Sequence, residues 1–223
     1  MLAPLPSGRH GLSREQVVSS QRQRLLNAAI AVAGSEGYAA TTVSAVIGRA
    51  SVSRKTFYEQ FADREHCFLA AYELVVERAL RGMRAAYAFD APWPERLRAA
   101  FAWALAALAA HPEEARVVFL EVLAAGPQAL AHRERALRRF TPLLAPGFEL
   151  APDPGAVPAS MPDAIAGGLT ELIAGQLRAD AAARLPLLLP DVTFCALAPF
   201  LGPEAAARAA APAPAAARRR SRV

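Results

Sequence analysis

Two very short helices set back to back are the tightest restriction this sequence places on its own fold. They are written into TVSAVIGRASVSRKTFYEQF, residues 42–61. Thr42 and Ser53 carry hydroxyls that accept from the free N–H groups of a first helical turn, so each predicts a helix start. The first helix would bury Val43, Val46 and Ile47. The second, over about 54–61, would bury Phe57, and Val52 would point inward from the tight turn Ala50-Ser51-Val52. Helices of two turns do not persist alone in water, because nucleation costs more than so few hydrogen bonds return. They need a third wall. Leu25, Leu26, Ala29, Ile30, Val32 and Ala33 recur upstream at helical spacing and supply one. The sequence therefore predicts a three-helix helix-turn-helix unit.

In such units the second short helix enters the major groove of DNA and its first residues meet base edges. Arg54, Lys55 and Thr56 hold those positions, and Lys55 is the chain's single lysine. The donors of Arg54 and Lys55 match guanine O6 and N7. Tyr58 is expected to face outward, its phenol suited to a phosphate oxygen. Thr42, Ser53 and Gln60 are further phosphate-contact candidates, and Arg64 would reach the backbone from the next helix. Arg14 and Arg22, with Arg9 and Arg24, are expected on an N-terminal arm over an adjacent phosphate or minor groove.

The charge distribution agrees with a polyanion partner for this region alone. Residues 1–64 hold eight Lys/Arg against four Asp/Glu, residues 65–211 hold 13 against 16, and the last 12 residues add four arginines and no acid. A basic head sits on a mildly acidic body.

The remaining chain reads as all-α, since alanine dominates and β-branched residues rarely alternate with polar ones. A flexible arm is expected over 1–12 and a disordered basic tail over 211–223. Between them lie the helix-turn-helix domain, 13–63, and a helical ligand-binding and dimerisation domain, 64–210. The first helix has two candidate starts, Ser13 and Ser20, both with capping-box spacing. It stops at Gly37. Asp63 caps a long helix over about 64–88, and further helices are expected over about 94–110, 113–125, 128–145, 163–182 and 190–209. The segment 128–145 carries HRERALRR on its solvent side, and five prolines make 146–162 an irregular loop. The two cysteines, Cys67 and Cys195, lie far apart in apolar contexts, the pattern of a reduced, cytoplasmic protein. No secretory-signal pattern opens the chain, and its longest uncharged apolar run, 99–110, is too short to span a bilayer, so no membrane partner is expected.

The stretch GYAATTVSAVIGRASVSRKTFYEQFADREHCFLAAYE resembles the DNA-binding region of the tetracycline-repressor (TetR) family of bacterial regulators. The resemblance covers about residues 24–73 and rests on Gly37-Tyr38, Thr41-Thr42, Val52-Ser53, Thr56-Phe57-Tyr58, Phe61 and Glu65. It implies an all-α homodimer with a variable C-terminal domain that takes a small molecule and thereby leaves DNA. By similarity, Thr42, Tyr58 and Arg64 match phosphate contacts, and Arg54 and Lys55 match base-reading positions. Two departures stand out. Ser51 replaces a glycine usual in the turn, and Ala33 replaces a bulky aromatic whose volume a neighbour must fill.

Beyond the reading unit, Tyr72, Tyr87, Phe101, Trp103 and Phe119 are candidates to line an apolar ligand cavity, though filling a core is the ordinary role for each. Phe101 and Trp103 lie on different faces of one helix, so both line one cavity only if it wraps the helix. Glu121, an acid amid apolar neighbours, is solvent-facing, paired with an arginine, or the partner of a cationic ligand. Gly168, Leu172 and, further on, Leu197 mark a helix pair that resembles the family's dimer-forming pair, with intrachain packing as the plain alternative. His111 and His132 stand alone, no metal spacing occurs, and neither a Gly-rich phosphate loop nor a nucleophile motif is present. The sequence thus predicts no metal, no cofactor and no enzyme. It predicts a dimeric repressor of a palindromic DNA site, released by a small, largely apolar effector. An architectural or partner-controlled DNA-binding protein is the alternative.

Overall fold

The computed structural model describes residues 13–211, which contain helices and turns and no strand. The arm expected over 1–12 and the basic tail from 212 onward lie outside them. Helix α1 (Arg14–Glu36) starts at Ser13 and not at Ser20: the Ser13 hydroxyl accepts from Gln16 N–H at 3.2 Å, and the Gln16 side chain accepts from Ser13 N–H at 2.8 Å. Gly37, at φ +90°, ends it. Helices α2 (Val43–Ala50) and α3 (Arg54–Gln60) follow, capped by Thr42 and Ser53. Asp63 caps α4 (Arg64–Tyr87), accepting from His66 N–H at 2.8 Å.

Helix α5 (Trp93–Ala110) opens with Pro94 in its first turn. The next helical run is interrupted within: α6 (Pro112–Arg116), a π-helical turn (Val117–Glu121), then α7 (Val122–Ala124). Helix α8 (Pro127–Phe140) stops five residues earlier than its sequence pattern suggests and passes into a 3₁₀ turn, Thr141–Leu144. The proline-rich stretch is not wholly irregular, for it contains α9 (Pro146–Leu150). Helix α10 (Met161–Arg178) ends before residue 182. The single helix expected over 190–209 is two, α11 (Leu189–Leu201) and α12 (Pro203–Ala210), divided at Gly202 with φ +78°.

Two apolar cores hold these elements. The first joins Leu25, Ala29, Ala33, Phe57, Phe61, Phe68 and Tyr72 to Val117, Val122 and Ala129. The reading helices therefore share a core with the 112–124 run and α8. Helix α6 packs closely on α1 beside the small Ala33: at the adjacent Gly34 an added Cβ would lie 2.5 Å from the Glu113 carbonyl oxygen. The second core gathers Trp93, Leu97, Phe101, Leu105, Leu169, Leu185, Leu197 and Phe200. Residues 182–201 are long and apolar enough to cross a membrane by composition. Here they form a 3₁₀ turn and α11, which bury Leu185, Val192, Ala196, Leu197 and Phe200 in that second core.

Candidate nucleic-acid interface and cavity

Ser53 fixes the start of α3 by accepting from Thr56 N–H at 3.0 Å. Phe57 fixes its rotation: the ring is fully buried, with its centroid 5.7 Å from that of Phe61. Arg54, Lys55, Tyr58 and Glu59 are thereby left on the exposed face. The Lys55 side chain is 87% exposed and its ammonium lies 3.9 Å from the Glu59 carboxylate, so little holds it back from a base edge. Arg54 donates to the Ser44 hydroxyl at 2.9 Å, tying α3 to α2. Thr56 is half-buried, and its hydroxyl shares a 2.9 Å hydrogen bond with that of Ser53.

Tyr58 is 51% exposed, its ring edge-on to Phe57. Thr42 is exposed and its hydroxyl accepts from Ala45 N–H at 3.1 Å. Arg64 lies over the Tyr38 ring at 5.0 Å, close to the first turn of α4. Burial pushes the Tyr38 phenol above its usual pKa, with Arg64 opposing the shift. Arg14 is exposed at the start of α1, whereas Arg22 is not on an arm. Its guanidinium lies 4.6 Å above the Phe61 ring and donates to the Gln60 carbonyl at 3.3 Å, pinning α1 to the end of α3. Arg24 donates to the carbonyls of Ala50 and Ser51, the latter at 2.6 Å, and braces the turn between the short helices. Neither role is signalled in the sequence, because the acceptors are backbone carbonyls far along the chain.

A cavity of about 260 Å³ lies among α4, α5, the π-helical turn, α8 and α10. Tyr72, Phe101, Trp103 and Phe119 all line it. Phe101 and Trp103 do so together because the cavity wraps α5. Trp103 reaches across to α4 where Gly82 leaves a slot: a Cβ there would sit 1.9 Å from the indole. Two expected lining residues are elsewhere. Tyr87 packs against Arg96, whose guanidinium is 4.1 Å from the ring centroid. Glu121 points to the reading domain and accepts from Tyr38 N–H at 2.8 Å.

Arg133, at the cavity between α8 and α10, corrects the reading of HRERALRR as a solvent face. Ala129, Arg133, Ala136, Leu137 and Phe140 repeat at helical spacing, and that periodicity would have found the inward stripe. His132 and Arg139 on the same helix engage Glu73 of α4, with His132 Nδ1 2.5 Å from its carboxylate. Among the described residues no group of three His, Cys, Asp or Glu side chains is placed to hold a metal.

On the outer face, Gly168 and Leu172 of α10 are exposed, and Cβ atoms added at Gly167, Gly168 or Gly175 would meet open space. Leu197 departs from its expected place there: it is 0% exposed, inside the protomer's own core. Phe194 and Cys195 are the exposed residues of that part of α11.

Residues 25–71 match the family described as bacterial regulatory proteins, tetR family. No curated protein matches the chain by sequence. Among solved structures, the fatty acid degradation regulator FadR from Bacillus halodurans is similar with a TM-score of 0.68 and 21% identity, over 78% of this chain and 97% of that one. The transcriptional regulator FadR from Bacillus subtilis, solved in complex with stearoyl-CoA, is similar with a TM-score of 0.69 and 18% identity, over 81% and 98%. A tetR-family regulatory protein from Rhodococcus RHA1 is similar with a TM-score of 0.62 and 21% identity, over 81% and 96%. The chain thus carries a tetR-family region over residues 25–71, and over most of its length it has the fold of the regulators named above.

Proposed function

We propose that this chain is a cytoplasmic, dimeric repressor that leaves a palindromic operator when a small, largely apolar effector enters the cavity between α4, α5, α8 and α10. The observation that carries the reading is the double engagement of the 112–124 run. Val118 and Phe119 line the cavity, while Glu121 holds Tyr38 N–H and Glu113 abuts Gly34 of α1. An effector pressing on the π-helical turn would be felt at the α1–α2 corner. A dimer that sets two α3 helices about 34–36 Å apart fits successive major grooves. An effector that shifts this spacing must favour the released state by roughly 5 kcal/mol to empty a nearly full operator. The FadR of Bacillus subtilis takes stearoyl-CoA, which supports an acyl-type effector here as well.

Selection of genomic fragments by the purified protein at physiological salt tests the reading. A palindrome is expected. Binding without sequence preference, lost steeply as salt rises, would support an architectural protein instead. On the selected site, Lys55→Ala should weaken binding by ~1–3 kcal/mol and relax preference at one base position, whereas Tyr58→Phe should weaken all sequences alike. Unchanged affinity and preference in Lys55→Ala would remove α3 from the reading role.

A further inference from the structure

The cavity carries a charge that no other described residue neutralises. Its lining is apolar except for a few groups, and the charged ones are Arg78, Glu114 and Arg133. Arg78 and Glu114 form an ion pair at 2.5 Å and cancel. Arg133 does not: among the described residues no carboxylate lies within 4 Å of it. Glu134, its neighbour in sequence, is engaged with Arg138, and Glu73 and Glu77 of α4 are engaged with Arg139. Arg133 instead donates to the Thr170 hydroxyl at 3.3 Å, and that hydroxyl donates to the Gly167 carbonyl at 2.7 Å. Thr170 has spent its only proton, so it serves as an acceptor that orients the guanidinium. One of five guanidinium N–H donors is used, and four remain.

Arginine presents its donors as a planar fork that matches a carboxylate or phosphate with two parallel hydrogen bonds. Both Arg133 and Thr170 are half-buried, at the edge of the cavity and not at its apolar centre. A charged head placed there keeps part of its hydration while an attached apolar body is buried. At about 30 Å³ per water-sized group, 260 Å³ holds roughly nine such groups. Burial pushes the Tyr72 phenol up and the Glu73 carboxylate adds to the shift, while Arg133, Arg135 and Arg139 pull against it, so Arg133 acts electrostatically on this wall of the cavity.

We infer that the effector is an amphipathic anion: an apolar chain of about eight carbons under Trp103, headed by a carboxylate or phosphate that Arg133 grips and Thr170 positions. The inference rests on the effector reading above and names its ligand class. A free carboxylic acid carries its anion at the end of the chain and a coenzyme A thioester carries it on phosphates beyond the pantetheine arm; both offer Arg133 an anion next to an apolar chain, and the experiment separates them.

Calorimetry on the full-length protein without DNA would compare octanoate, 1-octanol, octylamine and octanoyl-CoA. Octanoate or octanoyl-CoA should bind at least about tenfold more tightly than octanol, with octylamine weakest. Whichever of the two anions binds more tightly identifies the head. Shortening the chain should loosen binding about fourfold per methylene. Arg133→Gln should bring the ratio of anion to alcohol close to one, and Thr170→Val should lower it partway. Alcohol binding as tight as either anion overturns the inference in the wild-type protein alone, whatever the variants do. A ratio unchanged in a folded Arg133→Gln protein overturns it as well. Operator release is scored separately. Octanoate that binds without releasing DNA leaves the anion site standing and removes the effector reading. Release by octanol as readily as by octanoate does the reverse.

Discussion

Ser51 sits at φ 51°, ψ 51°, the left-handed region, in the turn that sets α3 against α2. A side chain there costs roughly 1–2 kcal/mol relative to glycine. Arg24 holds the turn from α1 by gripping the carbonyls of Ala50 and Ser51, so the strained residue lies inside a braced corner. Ser51→Gly should therefore stabilise the fold by about 0.5–1 kcal/mol, the relieved strain less the extra freedom glycine gives the unfolded chain. Urea unfolding followed by circular dichroism measures this, and a lowered midpoint would mean that the serine side chain contributes contacts of its own. Much at this scale was legible beforehand. Ser13, Thr42, Ser53 and Asp63 each cap a helix because a cap is decided within three residues. The arginines were not legible. Arg22, Arg24 and Arg133 look alike in sequence, and only the folded chain brings each to its acceptor.

Among the elements, the 112–124 run has the most to do with the proposed switching. A π-helical turn inside an α-helix holds one residue more than a regular turn, and such turns recur at functional sites. Here it carries Val118 and Phe119 at the cavity and ends on Glu121, the acceptor for Tyr38 N–H. A hydrogen bond from an amide to a charged carboxylate contributes about 1.5–3 kcal/mol. If the proposed coupling runs through it, Glu121→Ala should cut the factor by which effector weakens DNA binding about tenfold, since coupling energies of 1–3 kcal/mol correspond to such factors. Effector affinity measured without DNA should change little, because Glu121 does not line the cavity. Titrating operator occupancy with and without effector decides the point; an undiminished factor would route the coupling elsewhere. The turn itself was not readable, for nothing in VVFLE distinguishes it from regular helix. Proline is ambiguous in sequence for a physical reason. It breaks helix interiors yet suits first turns, where its missing N–H is no loss. Pro146 and Pro203 open helices where a loop or an unbroken helix was expected.

For the molecule as a whole, the sequence division near residue 63 separates roles more clearly than it separates cores. The first core runs from Leu25 to Ala129, so the reading helices and the proposed sensing helices share buried contacts. The opposite end bears the surface for the proposed dimer: Leu172 is 39% exposed among glycines with open space above them, and Phe194 and Cys195 face outward on α11. The two cysteines make that proposal measurable. Cys67 is buried, and burial lifts its thiol from near 9 to about 12. It is protonated and shielded at pH 8, and thus silent to thiol reagents until the fold opens. Its raised pKa also means that its contribution to stability is complete below about pH 9 and falls as pH rises from there toward 12. Cys195 is exposed in the single protomer, so labelling at pH 8 reports on this one site. If copies meet through α10 and α11, its rate should drop at least about tenfold between nanomolar and micromolar protein, at the concentration where sedimentation detects the dimer. A rate independent of concentration, with a dimer present, would move the interface off this face.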